Sequence, residues 1–188
     1  YGVEFDVHLM ADGNLAVVHD SSLKRTAGAD VYIEDLCADE LDQYFLEGTN
    51  EKLPLFNDVL DLFAGEVPLV IELKSVGNNY RQLCESACSA LASYTGLYCL
   101  ESFDPRCVYW LKKNRPDLIR GQLSQNYFIS SSTKLPGVLK FFLTNLLFNF
   151  LCVPDFIGYR VSDRKKLCTI ICLKLWKVNG FAWPITSK

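Results

Sequence analysis

Short apolar runs recur along the chain at 2–7, 15–19, 68–73, 97–103, 118–123, 155–160 and 181–185. Between most of them lie stretches with apolar residues at helical spacing, at 53–64, 80–94, 106–114 and 163–177. Strands that alternate with helices pair in parallel, because a parallel connection needs a crossover long enough to hold a helix. No Gly/Ser-rich linker and no repeat of fixed period divides the 188 residues. The expected organisation is one α/β domain over 1–188. A composition of 49% hydrophobic and 22% charged residues supports a packed core and excludes intrinsic disorder.

One connection breaks the alternation. Asp12-Gly13 sits between two extended runs, the signature of a tight hairpin turn. With the turn centred between those two residues, partners sum to 25, which sets His19 across from Asp6. Without the hairpin's return arm, six parallel strands remain, two fewer than a (β/α)₈ barrel has. The expected fold is therefore an incomplete (β/α)₈ barrel lacking its first and last strands, with a hairpin and small insertion at about 8–52. The chain opens at Tyr1 inside a strand-like run and is expected to be a fragment.

Net charge is only −3, which gives no electrostatic case for nucleic acid. The charges are nonetheless divided. Up to Asp104 there are 5 basic and 19 acidic residues, and beyond it 14 basic and 3 acidic. An acidic half suits a cation and a basic half suits anions; mutual neutralisation within the fold is the plainer alternative. Eight cysteines without a CxxC pair fit buried thiols in a reducing compartment, the cytosol, better than a disulfide scaffold or a zinc site. The apolar segment 135–154 is interrupted by Lys140, Thr144, Asn145 and Asn149. It is expected as an apolar surface helix that packs on the barrel or touches lipid at the interface.

Glu4 and Asp6 stand two apart on a strand, so their carboxylates emerge on one face, close enough to share a cation. Such a pair also suits the solvent face of a half-exposed strand. His19 at the end of a strand arm, and Glu72 with Lys74 at the end of another, add weight to a site, because catalytic groups gather at the carboxyl ends of barrel strands. Carboxylate oxygens favour Ca²⁺ or Mg²⁺.

These residues resemble the glycerophosphodiester phosphodiesterases, a family of phospholipase-C-like (β/α)₈ barrels. Its pattern of G-x-E-x-D-V, D-G, V-V-H-D and L-x-R-T is matched by GVEFDV, DG, VVHD and LKRT, and further on by LPLFNDVL, IELK and SFDP. The likeness is strong from Gly2 to about Leu123. It is weaker afterwards, where GYR and FAWPI stand for two late strands and Pro184 replaces a threonine. The resemblance implies Glu4, Asp6 and Glu72 as metal ligands, His19 as one of two catalytic histidines, Lys74 as a phosphate-binding group and Trp183 as a pocket residue. The other histidine belongs to an H-R-G motif on a strand ahead of Tyr1. His8 is no substitute by motif and is expected to be structural or solvent-facing.

The implied activity is metal-dependent hydrolysis of small glycerophosphodiesters to glycerol 3-phosphate and an alcohol, by a cytoplasmic enzyme. One alternative is a membrane-facing lysophospholipid phosphodiesterase of the same barrel type, making peripheral membrane contact. Another is a non-catalytic fragment or binding module, and the 188 residues alone are expected to be inactive.

Overall fold

A computed structural model describes residues 1–129 and 135–183 and divides into two compact units, Tyr1–Leu100 and Glu101–Lys188. The division falls close to Asp104, where the charge changes sign along the sequence.

In the first unit β1 (Val3–Leu9) and β2 (Leu15–Val17) form the hairpin, followed by the short helix α1 (Lys24–Ala27) and α2 (Phe56–Phe63). Then come β3 (Leu69–Lys74), α3 (Tyr80–Ala90) and β4 (Tyr98–Ser102), which reaches the unit's boundary. β1 pairs antiparallel with β2 and parallel with β3. Alternation along β1 and β3 sends odd-numbered side chains to the helices. Val7, Leu69, Ile71 and Leu73 are accordingly almost wholly buried, and the Phe5 ring lies against Phe56 and Phe63. The even-numbered positions, Glu4, Asp6, His8, Glu72 and Lys74, share the other face. A second buried cluster, Met10, Ala16, Val18, Leu23, Ile33, Leu36, Leu41 and Leu53, fills the hairpin and the irregular segment after it.

The hairpin register differs from the expected one. The Met10 N–H donates to the Asn14 carbonyl at 2.9 Å and the Gly13 N–H to the Met10 carbonyl at 3.1 Å. The loop therefore has three residues, with Gly13 at φ 88° in the left-handed position that closes such a loop with a bulge. Partners sum to 24, as in Val7↔Val17, so Asp6 faces Val18 and His19 lies one step beyond. α2 also starts later than the periodicity predicts. Pro54 disfavours helix at Leu53, and 53–55 runs extended beside β2, where the Val17 N–H donates to the Pro54 carbonyl.

The second unit holds α4 (Pro105–Asn114), β5 (Arg120–Ser124), α5 (Gly137–Thr144), α6 (Asn149–Cys152), β6 (Phe156–Arg160), α7 (Leu167–Ile170) and β7 (Asn179–Trp183). β5, β6 and β7 are parallel neighbours. Asp104 caps α4 by accepting the Arg106 N–H, with Pro105 as its first residue. Gly121 has no room for a side chain, since a Cβ there would meet the Phe156 ring at 2.2 Å.

The single apolar helix expected over 135–154 is instead two short ones. Leu146 and Val153 take positive φ, and the polar interruptions serve the break: Asn145 Nδ2 donates back to the Phe141 carbonyl, while Asn149 is buried against Cys172. Likewise α7 widens into a π-helical turn, Ile171–Leu175, where one continuous helix was expected. No helix among the described residues is long and apolar enough to cross a membrane. The cysteines carry thiols, with Cys84 and Cys88 buried on one face of α3. Pro184 and residues 130–134 lie outside the described residues.

Leu73 anchors the strand that carries Glu72 and Lys74. Leu73→Ala is expected to cost about 2–5 kcal/mol of stability, read from urea unfolding.

Candidate active site

In the parallel pairing of β1 with β3, Asp6 lies beside Glu72 and His8 beside Lys74. That register gathers three acids. One carboxylate oxygen from each of Glu4, Asp6 and Glu72 lies within 4.8 Å of the others. Lys74 Nζ inserts between two of them, 3.0 Å from Asp6 Oδ1 and 2.8 Å from Glu72 Oε1. The cluster grades from the exposed Glu4 to the buried Glu72, so it opens at one end.

Burial pushes the Glu72 carboxyl up to about 8; the neighbouring Asp6 adds to the rise, and Lys74 opposes it. Glu4 is raised for the same two reasons, burial and then Asp6, while Lys74 and His19 pull it back. Burial alone would lower the Lys74 ammonium, but the Glu72 and Asp6 carboxylates outweigh it and hold the group above its ordinary value. Three converging hard oxygen donors under mutual repulsion fit a small dication, which relieves both the repulsion and the desolvation.

His19 follows the end of β2, where the ladder no longer dictates its orientation. Its side chain is 65% exposed, and its Nδ1 lies 2.5 Å from Asp20 Oδ1. Asp20 also accepts a hydrogen bond from Arg25 Nε at 2.6 Å. The Arg25 and then the His19 hydrogen bond hold the Asp20 carboxyl down at about 2. With Nδ1 fixed by Asp20, the Nε2 edge of the ring is left to act, as in other carboxylate–histidine pairs. Asp20 and Arg25 received no role from the sequence, although the adjacency of His19 and Asp20 and the arginine of LKRT were their signal.

His8 is a buried residue, 3% exposed, hydrogen-bonded to Glu34, and not solvent-facing. Trp183 ends β7 in the second unit, edge-on to Phe103 at 5.6 Å and 5.7 Å from the Arg160 guanidinium. Its Nε1 is buried and has no hydrogen-bond partner among the described residues. A separate groove of about 610 Å³ is lined by α2, α3 and the hairpin tip, including Asn14, Asp61, Ser86 and Ser89, and contains none of the clustered acids.

The model of the glycerophosphoryl diester phosphodiesterase family matches residues 1–125. A lysophospholipase D from Rattus norvegicus is 35% identical over 89 residues, 41% of this chain and 28% of the relative. A glycerophosphodiester phosphodiesterase from Caldanaerobacter subterraneus subsp. tengcongensis is 29% identical over 133 residues, 66% of this chain and 55% of the relative. The chain thus spans less than two thirds of either protein. Among solved structures, an Oleispira antarctica phosphodiesterase in complex with the product sn-glycerol-3-phosphate superposes with a TM-score of 0.79 at 19% identity. The match covers 99% of this chain and 73% of that one. A glycerophosphodiester phosphodiesterase from Parabacteroides distasonis gives a TM-score of 0.75 at 20% identity, over 100% and 72% of the two chains. These likenesses show the fold to be of the α/β-barrel type.

The Asp20 carboxyl lies below its unfolded value of 3.8, so its contribution to stability is complete above that pH and lost as pH falls through about 2. Asp20→Asn is expected to flatten the acid limb of the stability profile between those values, measured by thermal unfolding at stepped pH.

Proposed function

The chain belongs to the glycerophosphoryl diester phosphodiesterase family, and from that premise we propose that its acidic cluster is the centre of a metal-dependent hydrolase. The substrates are small glycerophosphodiesters, and the products are glycerol 3-phosphate and an alcohol. The observation that carries this reading is the convergence of Glu4, Asp6 and Glu72 beside Lys74.

In this reading Glu4, Asp6 and Glu72 hold Ca²⁺ or Mg²⁺. The bound ion supplies charge neutralisation at phosphorus and a lowered pKa for the attacking oxygen. Lys74, placed among the carboxylates, holds a phosphate oxygen with a fixed positive charge. His19 protonates the departing alkoxide, a poor leaving group otherwise, and Asp20 keeps its ring in position. Trp183 is a substrate contact on the resemblance alone. Residues 1–188 contain only two histidines, and His8 is occupied by Glu34, so the family's H-R-G histidine has no counterpart among them. The same reading treats 1–188 as one phosphodiesterase domain working in the cytoplasm.

Release of glycerol 3-phosphate from glycerophosphocholine tests it. Turnover is expected from a polypeptide carrying an H-R-G strand ahead of Tyr1, and not from the 188 residues alone. In the longer polypeptide, Glu72→Gln is expected to abolish stimulation by added metal, and His19→Ala to lower kcat by about 10²- to 10⁴-fold. Turnover insensitive to both substitutions overturns the assignment. Metal binding without any turnover in the longer polypeptide leaves the non-catalytic binding module.

One observation favours the membrane-facing variant of this reading, with lysophospholipids as substrates. The second unit exposes Val138, Phe141, Phe150, Leu151 and Leu175, with Phe150 and Trp176 stacked edge-on at 4.7 Å. Lys140, Lys174 and Lys177 lie in the same segments. Aromatic and lysine side chains together suit the surface of an anionic bilayer. Co-sedimentation with phosphatidylserine vesicles at low salt is expected, and Phe150→Asp is expected to weaken it; no binding removes the membrane variant.

A further inference from the structure

His19 stands just past the last residue of β2, and its exposed ring is held only by its neighbour Asp20 among the hydrogen bonds described. Something else must fix the backbone from which that ring projects. The Val18 N–H donates to the Asp6 carbonyl at 3.1 Å, and beyond this bond the hairpin ladder stops.

A partly buried polar chain continues from there. His8, on the Glu4–Asp6 face of β1, has Nδ1 2.7 Å from Glu34 Oε1 and Nε2 3.3 Å from the His19 carbonyl oxygen. The other oxygen of Glu34 accepts the Ser21 hydroxyl at 2.6 Å. The Ile33 N–H donates to the Ser21 carbonyl at 2.9 Å, which ties the segment carrying Glu34 to the same strap. His19 and Asp20 are thus bracketed: Asp6 holds the residue before them, Glu34 the residue after them, and His8 the carbonyl of His19 itself. Burial of His8 and partial burial of Glu34 cost solvation that an apolar pair would not, and their hydrogen bonds point at this strap. Burial also raises the Glu34 carboxyl, but the His8 and Ser21 hydrogen bonds outweigh it and hold the group below its ordinary value.

We propose that His8 and Glu34 are positioning residues for His19, locking the backbone of 19–21 to the strand that bears two of the clustered carboxylates. The proposal rests on the role given to His19 above, and its test has an arm that does not. With only two histidines in the chain, His8→Ala leaves a single ring Cε1–H signal in the NMR spectrum, that of His19. In His8→Ala and in Glu34→Ala this signal is expected to shift and broaden relative to the parent, while Ca²⁺ titration still saturates with an affinity within about twofold of it. In the polypeptide with the H-R-G strand, kcat is expected to fall about 10- to 100-fold with KM little changed, as for a misplaced catalytic group. Glu34→Gln, which keeps an acceptor for His8, is expected to recover most of the loss.

Should His8→Ala fail to fold, Ser21→Ala removes the Glu34 bond alone and is read by the same His19 signal and kcat. An unmoved His19 signal in a folded variant overturns the positioning role. A parent polypeptide without turnover, yet with a His19 signal that moves in the variants, overturns the functional reading and leaves the positioning of the ring intact.

Discussion

The parallel register that sets Asp6 beside Glu72 governs the acidic site. It places two acids side by side on one face of adjacent strands, with Glu4 one pleat away, an arrangement that repels itself unless positive charge is close. Lys74 supplies that charge from the same strand as Glu72, while burial, with Asp6 adding to it, keeps the Glu72 carboxyl raised. The odd-numbered residues of both strands meet the cost of holding the cluster together. Val7, Ile71 and Leu73 bury their side chains against the helices and fix the strands from behind.

The hairpin is the second element of the site and is built differently. β1 and β3 are positioned by a hydrophobic layer, whereas the segment carrying His19 has left the ladder and is held by polar contacts. The Asp20–Arg25 pair acts on the imidazole and the His8–Glu34–Ser21 chain on the backbone. This division suits an exposed ring that must present one edge outward, since an apolar clamp would bury the group it was meant to display.

Much of this was legible from residue order. All seven strands among the described residues overlap apolar runs, because a strand with at least one buried face shows period two or continuous apolarity at short range. The E-x-D pair, the I-E-L-K strand and the histidine after V-V marked the residues that cluster around Glu72 and precede Asp20. What escaped depends on distances that a linear pattern does not hold. The hairpin pairing is offset by one residue from the expected register, since Asp12-Gly13 signals a turn without saying whether Gly13 closes a two- or a three-residue loop. The segment 135–154 read as one helix because its apolar content is continuous, and only folding shows Asn145 and Asn149 serving the break. His8 reads as structural or solvent-facing because it fits no catalytic motif, and its partner, Glu34, is not legible because it lies 26 residues away with no motif linking the two.

The three residues Ala11, Asp12 and Gly13 act as a gauge on a distant piece of chemistry. Side chains alternate between faces along an extended arm, so adding or removing a single residue at the tip would slide the return arm and present Val18 or Asp20 where His19 now stands. The length of that tip is therefore fixed, and its Asp12 is tied as well, since its carboxylate accepts the Asn14 and Ala38 N–H groups.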